Sequence, residues 1–189
     1  VLTPHDGDPA LPKAPILKIM AKPAELGMTS ARIPEPGGGA GLSMLDYGLM
    51  TEQMPPSVVL IVQPHEATTA RVYYGCSEEQ KARYLEDLMS GRRIACSAST
   101  EPDVGSDPRG VKTTLTEEGE HLVLKGRKQW ISNATVCDLM NVTCRKLNPD
   151  GTSSLARVIV ERSESPFEAR EVLMHGVRRD EQIVRAARA

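Results

Sequence analysis

Aromatic residues are scarce in this sequence: they make up 3% of its 189 residues and include one Trp and one Phe. The core must therefore be built from Leu, Val, Ile, Met and Ala, and the single Trp130 is the aromatic position that most needs an explanation. No apolar run approaches the roughly 20 residues of a membrane-spanning helix, and the mean hydropathy is -0.31. We therefore expect a soluble globular protein without a membrane span.

The sequence also lacks a large excess of charge of one sign and a cysteine spacing typical of metal or redox sites. With a net charge of -2 and an isoelectric point near 6.1, the sequence lacks the excess of basic residues that is typical of nucleic-acid-binding proteins. The four cysteines show no CxxC or His-containing ligand spacing, so neither a metal site nor a redox pair is indicated, and we expect reduced core thiols. No signal-peptide or transit-peptide pattern is present, which favours an intracellular location, either the cytoplasm or the mitochondrial matrix.

The first half of the chain is predicted to be helical. Residues 1–15 hold four prolines and indicate a mobile lead-in, after which a short helix over 16–26 is expected to break at Pro23. The glycine run at 37–41 lacks the endings and spacings of phosphate-binding loops and is interpreted as an ordinary loop. A second helix is predicted from Leu42 to about Met54, capped by Ser43 and Asp46.

The next stretch, 58–74, is ambiguous because Pro64 interrupts an otherwise apolar run. The clearest helix follows it. Ser77 to Gln80 form a capping box, an apolar stripe runs through Ala82, Leu85, Leu88 and Met89, and Gly91 is a natural C-terminal cap.

Beyond residue 92 the periodicity changes to two, which is typical of strands. A strand is predicted at 94–98, and a hairpin over 111–125 has its turn at Glu117 to Glu120. A second hairpin turn is predicted at Asn148 to Gly151, between strands at 139–147 and 155–162, and a further strand at 167–173. The predicted fold class is α+β: an N-terminal helical segment, 16–92, followed by an antiparallel β-barrel-like middle domain, 93–189.

Two segments of this β region carry the candidate chemistry. The first is ACSASTEPDVGSD at 95–107, where a strand ends in a turn forced by Pro102, so that hydroxyls and freed backbone N–H groups can point at one ligand edge. The second is LKGRKQWISNA at 124–134, where Trp130 and Ser132 stand two apart on one predicted strand and would share a face. A planar ring with a polar edge would suit such a pair of segments.

These segments resemble the paired signatures of the acyl-CoA dehydrogenase family, a TEPxxGSD turn and a GxKxWI(S/T)NA segment. GCSEEQK at 75–81 is similar to the helix that leads into that first strand, and GGGAGLSMLDYGLMTEQ at 37–53 resembles the subgroup of family members ten and eleven. The resemblance covers roughly residues 16–174. It implies an FAD-dependent enzyme that oxidises an acyl-CoA to its 2-enoyl form, with electron-transfer flavoprotein as acceptor and a homo-oligomeric full-length protein.

The resemblance also implies roles for individual residues. The turn would hold the pyrimidine side of the flavin, Trp130 would flank the ring, the Ser132 hydroxyl would approach N5, and Ser106 would lie near both the cofactor and the pantetheine chain of the substrate. The predicted cofactor-binding residues are Ser97, Ser99, Thr100, Gly105, Ser106, Trp130 and Ser132, and Ser106 is also the predicted substrate-binding residue.

No residue of this sequence is predicted to be catalytic, and no metal is expected. Glu101 belongs to the turn and is expected to tie that loop to the backbone rather than to act as a base. The four histidines stand far apart in sequence and are interpreted as structural. In the family the base is a Glu of a C-terminal helical domain, so this sequence, which matches only the preceding parts, is expected to be inactive alone. Two alternatives stay open: a non-catalytic interaction module, and a related flavin oxidase or monooxygenase.

Overall fold

The structure, a computed structural model, describes residues 12–165, 167–174 and 177–188. Four α-helices come first: α1 Lys13–Glu25, α2 Met44–Glu52, α3 Pro56–Gly75 and α4 Glu78–Met89. Seven strands follow: β1 Ala95–Ala98, β2 Thr114–Glu118, β3 His121–Lys128, β4 Leu139–Leu147, β5 Ser153–Glu161, β6 Glu168–Met174 and β7 Val177–Arg188. None of the described helices is long and apolar enough to cross a membrane.

Prolines shape the helices differently from the prediction. Helix α1 begins at Lys13, inside the predicted lead-in, because Pro15 lies in the first turn, where no intrahelical N–H bond is lost. It also continues through Pro23, which is buried in its last turn, so the predicted break is wrong. Helix α3 is continuous across Pro64, whose carbonyl accepts a hydrogen bond from Thr68 Oγ1 at 2.8 Å. Residues 1–11 of the predicted lead-in lie outside the described residues.

The predicted caps are confirmed. Ser43 Oγ accepts from Asp46 N at 3.2 Å, and Ser77 and Gln80 form both bonds of a capping box at the start of α4. The predicted stripe on α4 needs one correction, since Ala82 is exposed and Tyr84 is buried in its place. Helix α4 therefore turns Tyr84 and Leu88 toward the core.

The predicted hairpins are present, and one feature of the sheet differs. Strands β2 and β3 pair antiparallel around Gly119, and β4 and β5 pair antiparallel along their full length. Strand β4, however, is parallel to both β1 and β2. The α+β class is confirmed, but the sheet is mixed and curls into a half-barrel rather than being wholly antiparallel. Parallel neighbours need a long crossover, which β2 and β3 supply between β1 and β4.

Two apolar clusters join the helices to the sheet. The larger one brings residues of α1 and α3 against the inward faces of β1, β2, β3 and β4, including Met20, Val62, Leu124 and Val142. The smaller one packs Leu88 of α4 against Leu139 of β4. The end of β1 and the end of β3 are thereby fixed on a rigid scaffold, and these two ends carry the candidate site.

Candidate functional site

The two predicted chemical segments meet in space. The backbone N–H of Gln129, just after β3, donates to the carbonyl oxygen of Thr100 at 2.9 Å. One residue earlier, Lys128 Nζ donates to the carbonyl oxygen of Ser99 at 3.2 Å. The end of β1 and the end of β3 are therefore joined by two hydrogen bonds at the point where both strands stop.

The turn after Thr100 is closed by its own backbone. Glu101 N donates to the carbonyl of Val104 at 2.9 Å, and Val104 N donates back to the carbonyl of Glu101 at 3.2 Å. A Cβ built at Gly105 would meet no other atom within 4 Å. The turn is thus rigid up to Val104, and open space lies beside Gly105, as a site for a bound group requires.

Glu101 anchors this turn, as predicted. It is 5% exposed and accepts hydrogen bonds from Lys112 N at 2.7 Å and from Thr113 N at 3.0 Å. The hydroxyl of Thr113 and the ammonium of Lys128 also donate to it. Burial alone would raise the pKa of Glu101, but these bonds together hold it below its ordinary value. A carboxylate with this many donors is held as an anion and is a poor proton acceptor.

Lys128 is the functional residue that sequence reasoning missed. Its side chain is fully buried, and its three ammonium protons are used by Glu101 Oε1 at 2.7 Å, Thr143 O at 2.6 Å and Ser99 O. Burial lowers the pKa of Lys128, and the charge of Glu101 opposes that change. The signal available in sequence was its position, since Lys128 falls on the same face of β3 as the buried Leu124.

Ser97 on β1, and Ser99 and Thr100 just after it, are half-buried. Ser99 Oγ lies 2.8 Å from Thr143 Oγ1, so this hydroxyl is already used within the sheet. Ser97 stands opposite Asn141 in the parallel register. The hydroxyls of Ser97 and Thr100 form no hydrogen bond within the described part of the chain, so they have donor and acceptor capacity for a ligand edge. Ser106 lies further along the turn and is exposed.

Trp130 and Ser132 do not lie on a strand, which corrects the predicted shared face. Strand β3 ends at Lys128, Trp130 has φ 60, and Ser132 already belongs to a turn. Asn133 has φ 66, and its Nδ2 donates to the carbonyl of Ile61 on α3 at 2.8 Å. Trp130 and Asn133 are therefore two non-glycine residues with left-handed backbone within four positions. Such backbone strain persists only where surrounding contacts hold it, and it often occurs at ligand sites. Trp130 and Ser132 are half-buried there.

Two cysteines that the sequence places far apart are neighbours. Cys96 on β1 and Cys137, after the Trp130 loop, have sulfur atoms 3.3 Å apart, and both are buried. They are reduced thiols without a disulfide, as predicted, but their proximity was not predicted because their spacing carries no motif. Among the described residues, no group of three potential metal ligands is found.

His65 has the structural role that the sequence suggested. Its Nδ1 accepts from the backbone N–H of Ala95 at 3.0 Å, and its Nε2 lies 2.9 Å from the carbonyl of Leu88. Burial lowers its pKa to about 4, so the ring is neutral, with the proton on Nε2. It fixes the start of β1 to α3 and α4. His5 and His175 lie outside the described residues.

Comparison with known proteins identifies the family. The model of the acyl-CoA dehydrogenase N-terminal domain matches residues 6–92, and that of the acyl-CoA dehydrogenase middle domain matches residues 96–183. The chain belongs to the acyl-CoA dehydrogenase family.

Relatives and solved structures extend over most of this chain. A probable acyl-CoA dehydrogenase of Bacillus subtilis (strain 168) is 41% identical over 152 residues, which are 77% of this chain and 25% of that protein. The caffeyl-CoA reductase-Etf complex subunit CarC of Acetobacterium woodii is 28% identical over 148 residues, 76% of this chain and 39% of that protein. A glutaryl-CoA dehydrogenase from Mycobacterium smegmatis in complex with FADH2 has a TM-score of 0.78 and 26% identity, over 94% of this chain and 46% of that chain. The chain thus spans less than half the length of each of these proteins.

Proposed function

We propose that this chain supplies the flavin-facing wall of an FAD-dependent acyl-CoA dehydrogenase, which removes hydrogens from the α and β carbons of an acyl-CoA thioester. The observation that carries the proposal is the junction of the two signature segments through Gln129, Lys128 and the carbonyls of Ser99 and Thr100. FAD, the cofactor predicted from the sequence, belongs to the same flavin chemistry as the FADH2 in the glutaryl-CoA dehydrogenase structure.

The residues at the junction fit a planar group with a polar edge. Thr100 and Ser97 offer unused hydroxyls to the pyrimidine edge, and the space beside Gly105 leaves room for that edge. Trp130 would lie along the ring, and Ser132 would donate near N5. Ser106, exposed further along the turn, would contact both the cofactor and the substrate. Bound FAD would supply the hydride acceptor, which no amino-acid side chain provides.

Removal of the α proton requires a carboxylate on the face opposite the flavin. The two most buried glutamates described are poor candidates. Glu101 is saturated with donors, and Glu66 accepts from Arg32 Nε at 3.0 Å through both of its oxygens. We therefore assign the base to the C-terminal helical domain of the family, and we propose that this chain alone binds FAD weakly and does not turn over.

Electron-transfer flavoprotein is the proposed electron acceptor, and the longer protein is proposed to be a homo-oligomer inside the cell. The printed name of the Acetobacterium relative places that protein in a complex with Etf, which supports the first of these proposals.

A second function, a non-catalytic interaction module, is favoured by one observation. Helix α2 exposes an apolar face, with Met44 66%, Leu45 72% and Leu49 53% exposed. A face of this kind is typical of a surface that another protein covers.

Purified protein and added FAD distinguish these functions. A yellow protein that an acyl-CoA leaves unbleached supports the flavin-facing wall, because reduction of the flavin by the substrate also needs a base for the α proton. Sustained thioester oxidation would refute the proposed inactivity, and bleaching by a nitroalkane instead would support the oxidase alternative. A protein that stays colourless at high FAD and binds a protein partner through α2 would support the interaction module.

A further inference from the structure

A cleft with a volume of about 500 Å³ opens on the sheet next to the candidate flavin site, where Asn141 of β4 stands opposite Ser97 of β1. Its walls come from the end of α3, the start of α4, Leu122 of β3 and the strands β4 and β5, and none of the seven predicted cofactor residues lines it. A volume of this size accommodates a small metabolite.

The cleft is positively charged. Arg71 and Arg157 line it, and neither forms an ion pair within the residues that the structure describes. Within the described part of the chain, Arg71 donates to the carbonyl of Ala67, at 3.3 Å. Burial lowers the pKa of Arg71, the positive charges of Arg157 and Arg32 lower it further, and the charge of Glu66 opposes this change. No Asp or Glu is among the described residues that line the cleft. Two neighbouring cations without a carboxylate favour an anion between them.

The cleft also contains a buried polar atom without a partner. Asn141 lies on β4, is 6% exposed, and has an Oδ1 atom that accepts no hydrogen bond among the described residues. Buried amide oxygens are nearly always satisfied, so this one has acceptor capacity for a donor that enters the cleft. The site therefore offers positive charge to an anion and an acceptor to a hydrogen-bond donor on the same ligand.

We propose that this cleft binds phosphate, free or as the monoester of a small metabolite, with Arg71 and Arg157 on the phosphate oxygens and Asn141 Oδ1 accepting from a protonated oxygen. Two guanidinium groups match the charge of a phosphate dianion or monoanion, and a phosphate that titrates near pH 6 can donate a proton to Asn141. Sulfate has a similar size and charge but no proton to donate at neutral pH. The proposed phosphate site uses none of the seven predicted cofactor residues and does not require the proposed dehydrogenase function.

Calorimetric titration of the 189-residue chain tests the site, with inorganic phosphate, sulfate and adenosine 5′-monophosphate as probes. We expect saturable phosphate binding that is several-fold tighter than sulfate binding at pH 6. Tighter binding of the nucleotide than of inorganic phosphate would identify an ester as the ligand, and equal binding would identify the free anion. Absence of saturable binding of any of these probes overturns the proposal.

Three variants distinguish phosphate binding in the cleft from nonspecific attraction to positive charge on the protein. Arg157→Gln removes an exposed, unpaired guanidinium and should weaken phosphate binding about tenfold, the effect of one charge-assisted hydrogen bond. Asn141→Leu should abolish the preference for phosphate over sulfate. Arg109→Gln, which removes an exposed arginine outside the cleft, should leave binding unchanged. Equal weakening by Arg157→Gln and Arg109→Gln would overturn the proposal, and thermal unfolding of each variant verifies that it is folded.

Discussion

Replacing Lys128 by methionine tests the anchor on which the candidate site rests. Methionine has a similar length and fits a buried position, but it removes the ammonium group that bonds Glu101, Thr143 and Ser99. Glu101 would keep its bonds from Lys112 N and Thr113 and would lose its counter-charge. The side chains are 0% and 4% exposed, so solvent cannot take the place of the missing cation.

The expected cost follows from that burial. Removing one partner of a buried ion pair destabilises proteins by about 3–5 kcal/mol, mostly through the charge that is left behind. For a chain of this size the melting temperature falls about 2–4 °C per kcal/mol. The double variant Lys128→Met with Glu101→Gln removes both charges and should be less destabilised than the sum of the single variants.

Urea denaturation followed by circular dichroism measures these free energies. The matched control is Lys112→Met in the same loop, where the lysine is 70% exposed and pairs with Asp103 at the surface. We expect the control to change stability by less than about 0.5 kcal/mol. A loss for Lys128→Met as small as that of the control would refute the anchoring role of the pair.

Two further predictions concern the scaffold. The pKa of His65 is about 4 in the folded protein, against 6.5 for an ordinary histidine. As pH falls below 6.5, the unfolded chain therefore takes up a proton at this position before the folded protein does. The free energy of unfolding should fall by up to about 3 kcal/mol between pH 6.5 and pH 4. Urea midpoints across this pH range should show this slope, and the slope should flatten in His65→Gln. A Cβ at Gly39 would lie 2.1 Å from the carbonyl oxygen of Ile33, whereas Gly48 on α2 faces open space. Gly39→Ala should therefore destabilise the fold by more than about 1 kcal/mol, while Gly48→Ala should stabilise it by about 0.5–1 kcal/mol; similar melting temperatures for the two variants would contradict this packing.

The elements that were predicted correctly are those with local signals. The capping box at Ser77 and Gln80 fixes the start of α4, and Gly119 and Gly151 fix two hairpin turns, because each of these depends on residues a few positions apart. The meeting of the TEP turn with the Trp130 segment was also predicted, through the family resemblance.

The features that were missed depend on distant contacts. Pro64 does not break α3, since the packing of residues on both sides of it, such as Val62 and Val72, against the rest of the core outweighs the one backbone bond that Pro64 cannot donate. The parallel register of β1 with β4 depends on the crossover between them, which no local pattern reveals. The positive φ of Trp130 and the pairing of Lys128 with Glu101 likewise arise only when the strand ends are brought together.

The proposed flavin site depends most on the position of Trp130 beside the flavin ring. It is the single tryptophan of the chain, so its fluorescence reports on this position alone. Titration with FAD, corrected for absorption by the flavin itself, should quench this emission to saturation, and Thr100→Val should shift the titration to higher FAD concentration. If FAD binds, as its own absorbance and calorimetry would show, while the emission of Trp130 is unchanged, the flavin does not lie at the junction of the two segments and the account is contradicted.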